Sequence, residues 1–72
     1  MKAENIGKNA GIVWRALDEH QNEMDFDTLA QRTQLSTTDL GAAIGWLSRE
    51  GKIVVKEVGD TYNFSVFCEY YY

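Results

Sequence analysis

The chain has 72 residues, 44% of them hydrophobic, and seven Lys and Arg against eleven Asp and Glu give it a formal net charge of −4. That length fits one domain, residues 1–72, with one core. Apolar burial at this size barely outweighs ordering entropy, so a net stability of a few kcal/mol is expected. The single cysteine, Cys68, rules out an internal disulfide, and no cluster of Cys and His forms a metal shell. A second subunit is then the remaining source of extra stability. The N-terminus has no apolar run long enough for a membrane span or secretion signal, so a cytoplasmic protein without membrane or cofactor is expected. The acidic balance counts against a dedicated nucleic-acid binder, which usually carries a basic stripe.

In chain order, Ile6, Ala10, Val13, Trp14 and Leu17 recur at the period of an amphipathic helix, which is placed from about Asn5 to His20. Gly7 and Gly11 each cost about 1 kcal/mol relative to Ala inside that helix, so another backbone, from the third helix or a second subunit, is expected close to them. The run from Glu19 to Glu23 reads as a loop, and Met24 to Phe26 as a very short strand. Asp25 then caps a second helix, with Asp27 favourably placed in its first turn.

That helix ends near Thr33, and Thr33, Gln34, Leu35 and Ser36 form the turn, with Leu35 plugging the corner. Gln34 stands where a turn glycine is usual, which predicts a wider or mildly strained turn. Ser36 and Asp39 resemble a capping box with the shorter acid. The third helix, from about Thr37 to Glu50, carries Leu40, Ala43, Ile44 and Leu47 at steps of three and four, and Gly51 takes the left-handed position after it. Two alternating runs joined by Gly59 and Asp60 then read as a hairpin with a two-residue turn. Pairing Val58 with Thr61 puts Ile53, Val55, Tyr62, Phe64 and Val66 on the one face apolar enough to sit on the helices.

The whole is α+β: three helices followed by a C-terminal β-hairpin wing, a winged helix-turn-helix. The segments IGKNAGIVWRAL, Ile6 to Leu17, and GWLSREGKIV, Gly45 to Val54, resemble a family of small bacterial winged helix-turn-helix domains of uncharacterised function. The resemblance covers nearly the whole chain. It implies this fold, a link to DNA or regulation and a homodimer, and it implies no reaction.

Helices that read DNA bring Arg, Lys, Asn or Gln to base edges. The outward positions of this third helix are instead Thr37, Thr38, Gly41, Ala42, Gly45 and Trp46, with Asp39 beside them. Lys8, Arg32, Arg49, Lys52 and Lys56 are the candidate phosphate contacts, scattered among Glu50, Glu57 and Asp60, and Asp60 at the wing tip has the wrong sign for a groove contact. For Lys52 and Lys56 the reading as the solvated face of an edge hairpin is preferred.

Gly41, Ala42 and Gly45 form a flat small-residue face beside Trp46, a composition suited to protein contacts. Burying one tryptophan removes roughly 150–250 Å², on the order of 4–6 kcal/mol before costs. Folding of Trp46 back onto Trp14 within one chain is the equal alternative. Phe67 and the tyrosines Tyr70, Tyr71 and Tyr72 complete the interface candidates, since a polar tail would not spend three aromatics. His20 is expected to favour a helix C-terminus, Cys68 to act as a small hydrophobe, and Asp18, Glu19 and Glu23 to form a solvated edge. No nucleophile, base and oxyanion donor can be assembled, so the chain is not expected to be an enzyme. The expectation is a protein-interaction or homodimerisation module, with a DNA-binding transcriptional regulator as the alternative.

Overall fold

The computed structural model describes residues 3–20 and 23–67. Three helices, α1 (Glu4–His20), α2 (Phe26–Thr33) and α3 (Thr37–Arg49), are combined with three strands, β1 (Met24–Asp25), β2 (Ile53–Val58) and β3 (Thr61–Val66). The sheet is antiparallel in the order β1-β3-β2. This is the winged helix-turn-helix architecture, with the hairpin of β2 and β3 as the wing.

The helix boundaries follow from capping chemistry. The Asp25 carboxylate accepts a 2.8 Å hydrogen bond from the Thr28 amide, and the Ser36 hydroxyl accepts a 3.2 Å bond from the Asp39 amide, each satisfying a first-turn donor the helix cannot. At the end of α3, Gly51 has φ +70. Its amide donates to the Ser48 carbonyl at 3.1 Å, and the Lys52 amide donates to the Leu47 carbonyl at 3.0 Å. These two bonds form a Schellman closure, and the left-handed residue between them is the one glycine tolerates without cost.

The α2–α3 turn has the strain expected of it. Gln34 sits at φ 62, ψ 18, a left-handed conformation unusual for a residue with a β-carbon. Its amide bonds the Ala30 carbonyl at 2.9 Å and its side-chain Nε2 donates to the Gln31 carbonyl at 2.8 Å, which offsets part of the cost. Leu35, partly buried, packs against the core from this turn.

The core is built from Ala10, Val13 and Leu17 of α1, Leu29 of α2 and Leu40, Ala43 and Leu47 of α3, closed on the sheet side by Met24, Ile53 and Phe64. In the sheet Val58 pairs with Thr61, Ile53 with Val66 and Met24 with Phe64. Gly59 has φ +60 at the first turn position, as a type II′ turn requires, so the strands keep their twist through the turn.

Two expectations are corrected. Only part of the inner wing face is covered: Ile53 and Phe64 are buried, while Val55, opposite Phe64 on the edge strand β2, is 43% exposed and Tyr62, nearer the turn, is 50% exposed. Nor does the backbone of the third helix approach Gly7 or Gly11: among the described residues, a β-carbon at either would meet no atom within 4 Å. The inward side of α1 is made instead by Ala10, Val13 and Leu17, which share the core with Leu40, Ala43 and Leu47 of α3.

Candidate interaction surface

On α3 the buried positions Leu40, Ala43 and Leu47 fix which side looks outward. With about 100° per residue, Thr38, Gly41 and Gly45 fall opposite that side. They are exposed, as are Thr37, Ser48 and Arg49, while Ala42 and Asp39 are partly covered at the margin. A β-carbon built at Gly41 or Gly45 meets nothing within 4 Å, so this face is open and its backbone accessible.

Trp46 stands on the edge of this face that turns toward α1 and is 46% exposed. It is thus neither fully exposed nor fully buried, and with Trp14 it borders a groove of about 460 Å³, lined also by Gly7 and Gly11 of α1 and by Lys52 and Phe67. Gly7, Gly11 and Trp14 follow one another at i, i+4 and i+7, so they lie along one flank of α1, beside the stripe that packs inward. The spacing is visible in the sequence, whereas the groove that it borders is not.

Phe67 is placed here by the end of the sheet. Its amide donates to the Lys52 carbonyl at 3.0 Å, extending the β2–β3 ladder one step beyond Val66 and Ile53. The interface candidates thus divide between two adjoining surfaces: Gly41, Ala42 and Gly45 on the outer face of α3, and Phe67 in the groove, with Trp46 on their common border. Tyr70, Tyr71, Tyr72 and Cys68 lie outside the described residues, as does the side chain of His20.

The candidate phosphate contacts are not gathered. Lys8 is exposed on α1, Arg32 on α2, Arg49 in the last turn of α3, Lys52 just after it and Lys56 on β2. Arg49 and Lys52 line two separate concavities, each of which Trp46 also lines. Lys56 has a carboxylate partner, with its Nζ 3.6 Å from Glu23 Oε1. Asp60 remains exposed at the wing tip. The Asp25 carboxylate caps α2. The hydrogen bond from the Thr28 amide, then that from its side chain, holds the carboxyl below the usual aspartate value, as capping a helix should.

Among the described residues no group of three His, Cys, Asp or Glu is placed to hold a metal ion, and no helix is long and apolar enough to cross a membrane.

The family model described as "Winged helix-turn-helix domain (DUF2582)" matches residues 1–66. Among solved structures, the chain is similar to the solution structure of protein BT2368 from Bacteroides thetaiotaomicron, with 31% identity and a TM-score of 0.78 over 92% of this chain and 79% of that one. It is also similar to a structure of HOP2, described in terms of its DNA recognition and protein interaction domains, with 25% identity and a TM-score of 0.70 over 82% of this chain and 98% of that one. No curated protein matches the chain.

Proposed function

The chain belongs to the winged helix-turn-helix family DUF2582, and we propose that within this fold it is a non-catalytic protein-interaction module that pairs with a second copy of itself through the outer face of α3. The observation that carries the reading is the exposed Trp46 beside the open backbone of Gly41 and Gly45, on the helix that would otherwise read bases. Small residues let a second helix come close, and a neighbouring indole supplies a large apolar contact with one N–H donor. A self-complementary patch of this kind suits a two-fold dimer, in which the same face is used twice. For so short a chain, the added burial would be a large fraction of total stability.

Sedimentation over a wide range of concentration tests this. The mass should rise toward that of two chains, and Gly41→Glu should hold it at one chain, because a side chain at Gly41 has free space in the monomer while its charge would fall inside the dimer. A native chain that stays monomeric at the highest concentration ends the proposal.

DNA binding is the second reading. The likeness to HOP2 favours it, as do Arg49 and Lys52 flanking Trp46. It calls for an affinity for duplex DNA that falls steeply as salt rises, lowered in Arg49→Ala and Lys52→Ala. A folded chain that ignores random duplex at low salt would remove it.

A further inference from the structure

We infer that the two α3 helices of the dimer run antiparallel in one register, with Trp46 of each copy seated on Ala42 of the other and Asp39 of each paired with Arg49 of the other. The inference rests on the pairing through the outer face of α3 proposed above, and it fixes the geometry of that pairing and its dependence on charge.

The charges set the direction. Asp39 lies in the first turn of α3 and Arg49 in the last. Arg49 is exposed and Asp39 partly so, and neither has an ion-pair partner among the described residues. Two such helices laid side by side in parallel would bring like charge to like charge and align their dipoles. Laid antiparallel, each carboxylate meets the other copy's guanidinium, and the positive end of one helix lies beside the negative end of the other.

Two-fold symmetry then sets the register. The axis that puts Asp39 against Arg49 passes level with Ile44, midway between them, and Ala42 and Trp46 stand at equal distances on either side of that same level. The axis that pairs the charges therefore also places each indole against the other copy's Ala42. At about 100° per residue, Asp39, Ala42, Trp46 and Arg49 fall within about 80° of one another around the helix. One approach of a second helix engages all four, and this agreement in both height and direction is what carries the inference.

The shapes agree with it. Trp46 is 46% exposed, and the side chain it faces is a single methyl group. Gly45, next to the axis, has nothing within 4 Å of its β-carbon position, which lets the two backbones come close. A covered indole needs an acceptor for its N–H, and the other copy's Asp39 carboxylate lies one helical turn from the Ala42 it covers.

Sedimentation tests the charges. The native dimer should dissociate more readily as salt rises. Asp39→Asn and Arg49→Gln should each raise the dissociation constant roughly three- to ten-fold, since each removes two water-accessible pairs. The two changes together should do no more than either alone. Asp39→Lys and Arg49→Glu should each stay monomeric where the native chain pairs, and an equimolar mixture of them should regain the mass of two chains, a rescue that misfolded variants do not give. In a Trp14→Phe chain the remaining indole should move its emission to shorter wavelength in step with the mass.

A dimer that ignores both neutral substitutions, or tightens in them as parallel helices would, overturns the inference and leaves the α3 face itself to the Gly41→Glu test. A mixture of the two charge-reversed chains that stays monomeric overturns it too, as does emission that holds still while the mass doubles. A native chain that is monomeric at every concentration ends both this register and the pairing on which it rests.

Discussion

Glu23 Oε1 lies 3.6 Å from Lys56 Nζ while Glu23 Oε2 accepts a 3.1 Å hydrogen bond from Asn63 Nδ2. Lys56 and Asn63 face one another on β2 and β3, so one carboxylate just ahead of β1 ties that strand to both strands of the wing. All three groups are accessible to water, and an exposed pair of this kind contributes at most about 1 kcal/mol. Glu23→Ala should therefore lower the urea midpoint only slightly, and the difference from the native chain should shrink further in high salt. The same variant releases Lys56, so any affinity for duplex DNA should rise in it.

Acid should act on the start of α2. The folded carboxyl of Asp25 titrates below its unfolded value because the Thr28 amide and side chain bond its charged form. Its contribution is therefore complete above the ordinary aspartate value of about 3.9 and is lost as pH falls through the lower, folded value. Asp25→Asn keeps a capping oxygen and loses the charge. It should melt lower than the native chain at neutral pH and converge with it in acid, as followed by circular dichroism. Convergence failing to appear would mean that the charge does not contribute.

The two left-handed residues should respond in opposite senses. Gly51→Ala forces a β-carbon into φ +70 at the Schellman closure of α3 and should cost about 1–2 kcal/mol. Gln34→Gly relieves a similar cost at φ 62, less the roughly 0.4–1 kcal/mol that glycine adds in unfolded-chain entropy. A small gain in stability is expected, reduced by loss of the side-chain bond to the Gln31 carbonyl. Denaturant titration of the two variants checks both signs.

Leu40 has no exposed surface and stands among residues of all three helices. Leu40→Ala should cost about 2–5 kcal/mol, against a total of only about 3–5 kcal/mol expected for a chain of this length. A large unfolded fraction at room temperature is the expected result. Ser36→Ala, which removes only the cap of α3, should cost about 1 kcal/mol and leave the fold intact.

What was legible in the sequence was what local chemistry decides. Asp25, Ser36 and Gly51 announce helix ends because each satisfies or frees backbone groups within four residues of itself, and Gly59-Asp60 sets the hairpin register through its own turn geometry. The exposure of Val55 and Tyr62 was not legible, because it depends on which strand ends up at the sheet edge and on how far the helices extend beneath the wing. That the backbone of the third helix stays away from Gly7 and Gly11 was hidden for a related reason. Their spacing places them on one flank of α1, but whether that flank meets a backbone or borders a groove is decided by the size of Trp14 and Trp46 and by where Phe67 arrives at the end of the sheet. For the candidate site, the sequence identified the small outward face of α3 and the scattering of basic residues, and missed the share α1 takes in the groove.

The pairing of Met24 with Phe64 spans 64 − 24 = 40 positions along the chain and is secured by a strand of only two residues. Closing a loop of that length costs about 3 kcal/mol beyond a constant term, while the strand offers few backbone bonds in return. The lead-in to α2 is therefore the part of the sheet that docks late as the chain folds and detaches first from the native state. Amide hydrogens of β1 should trade with deuterium well before those of the central β3, through an opening that leaves the helical core assembled.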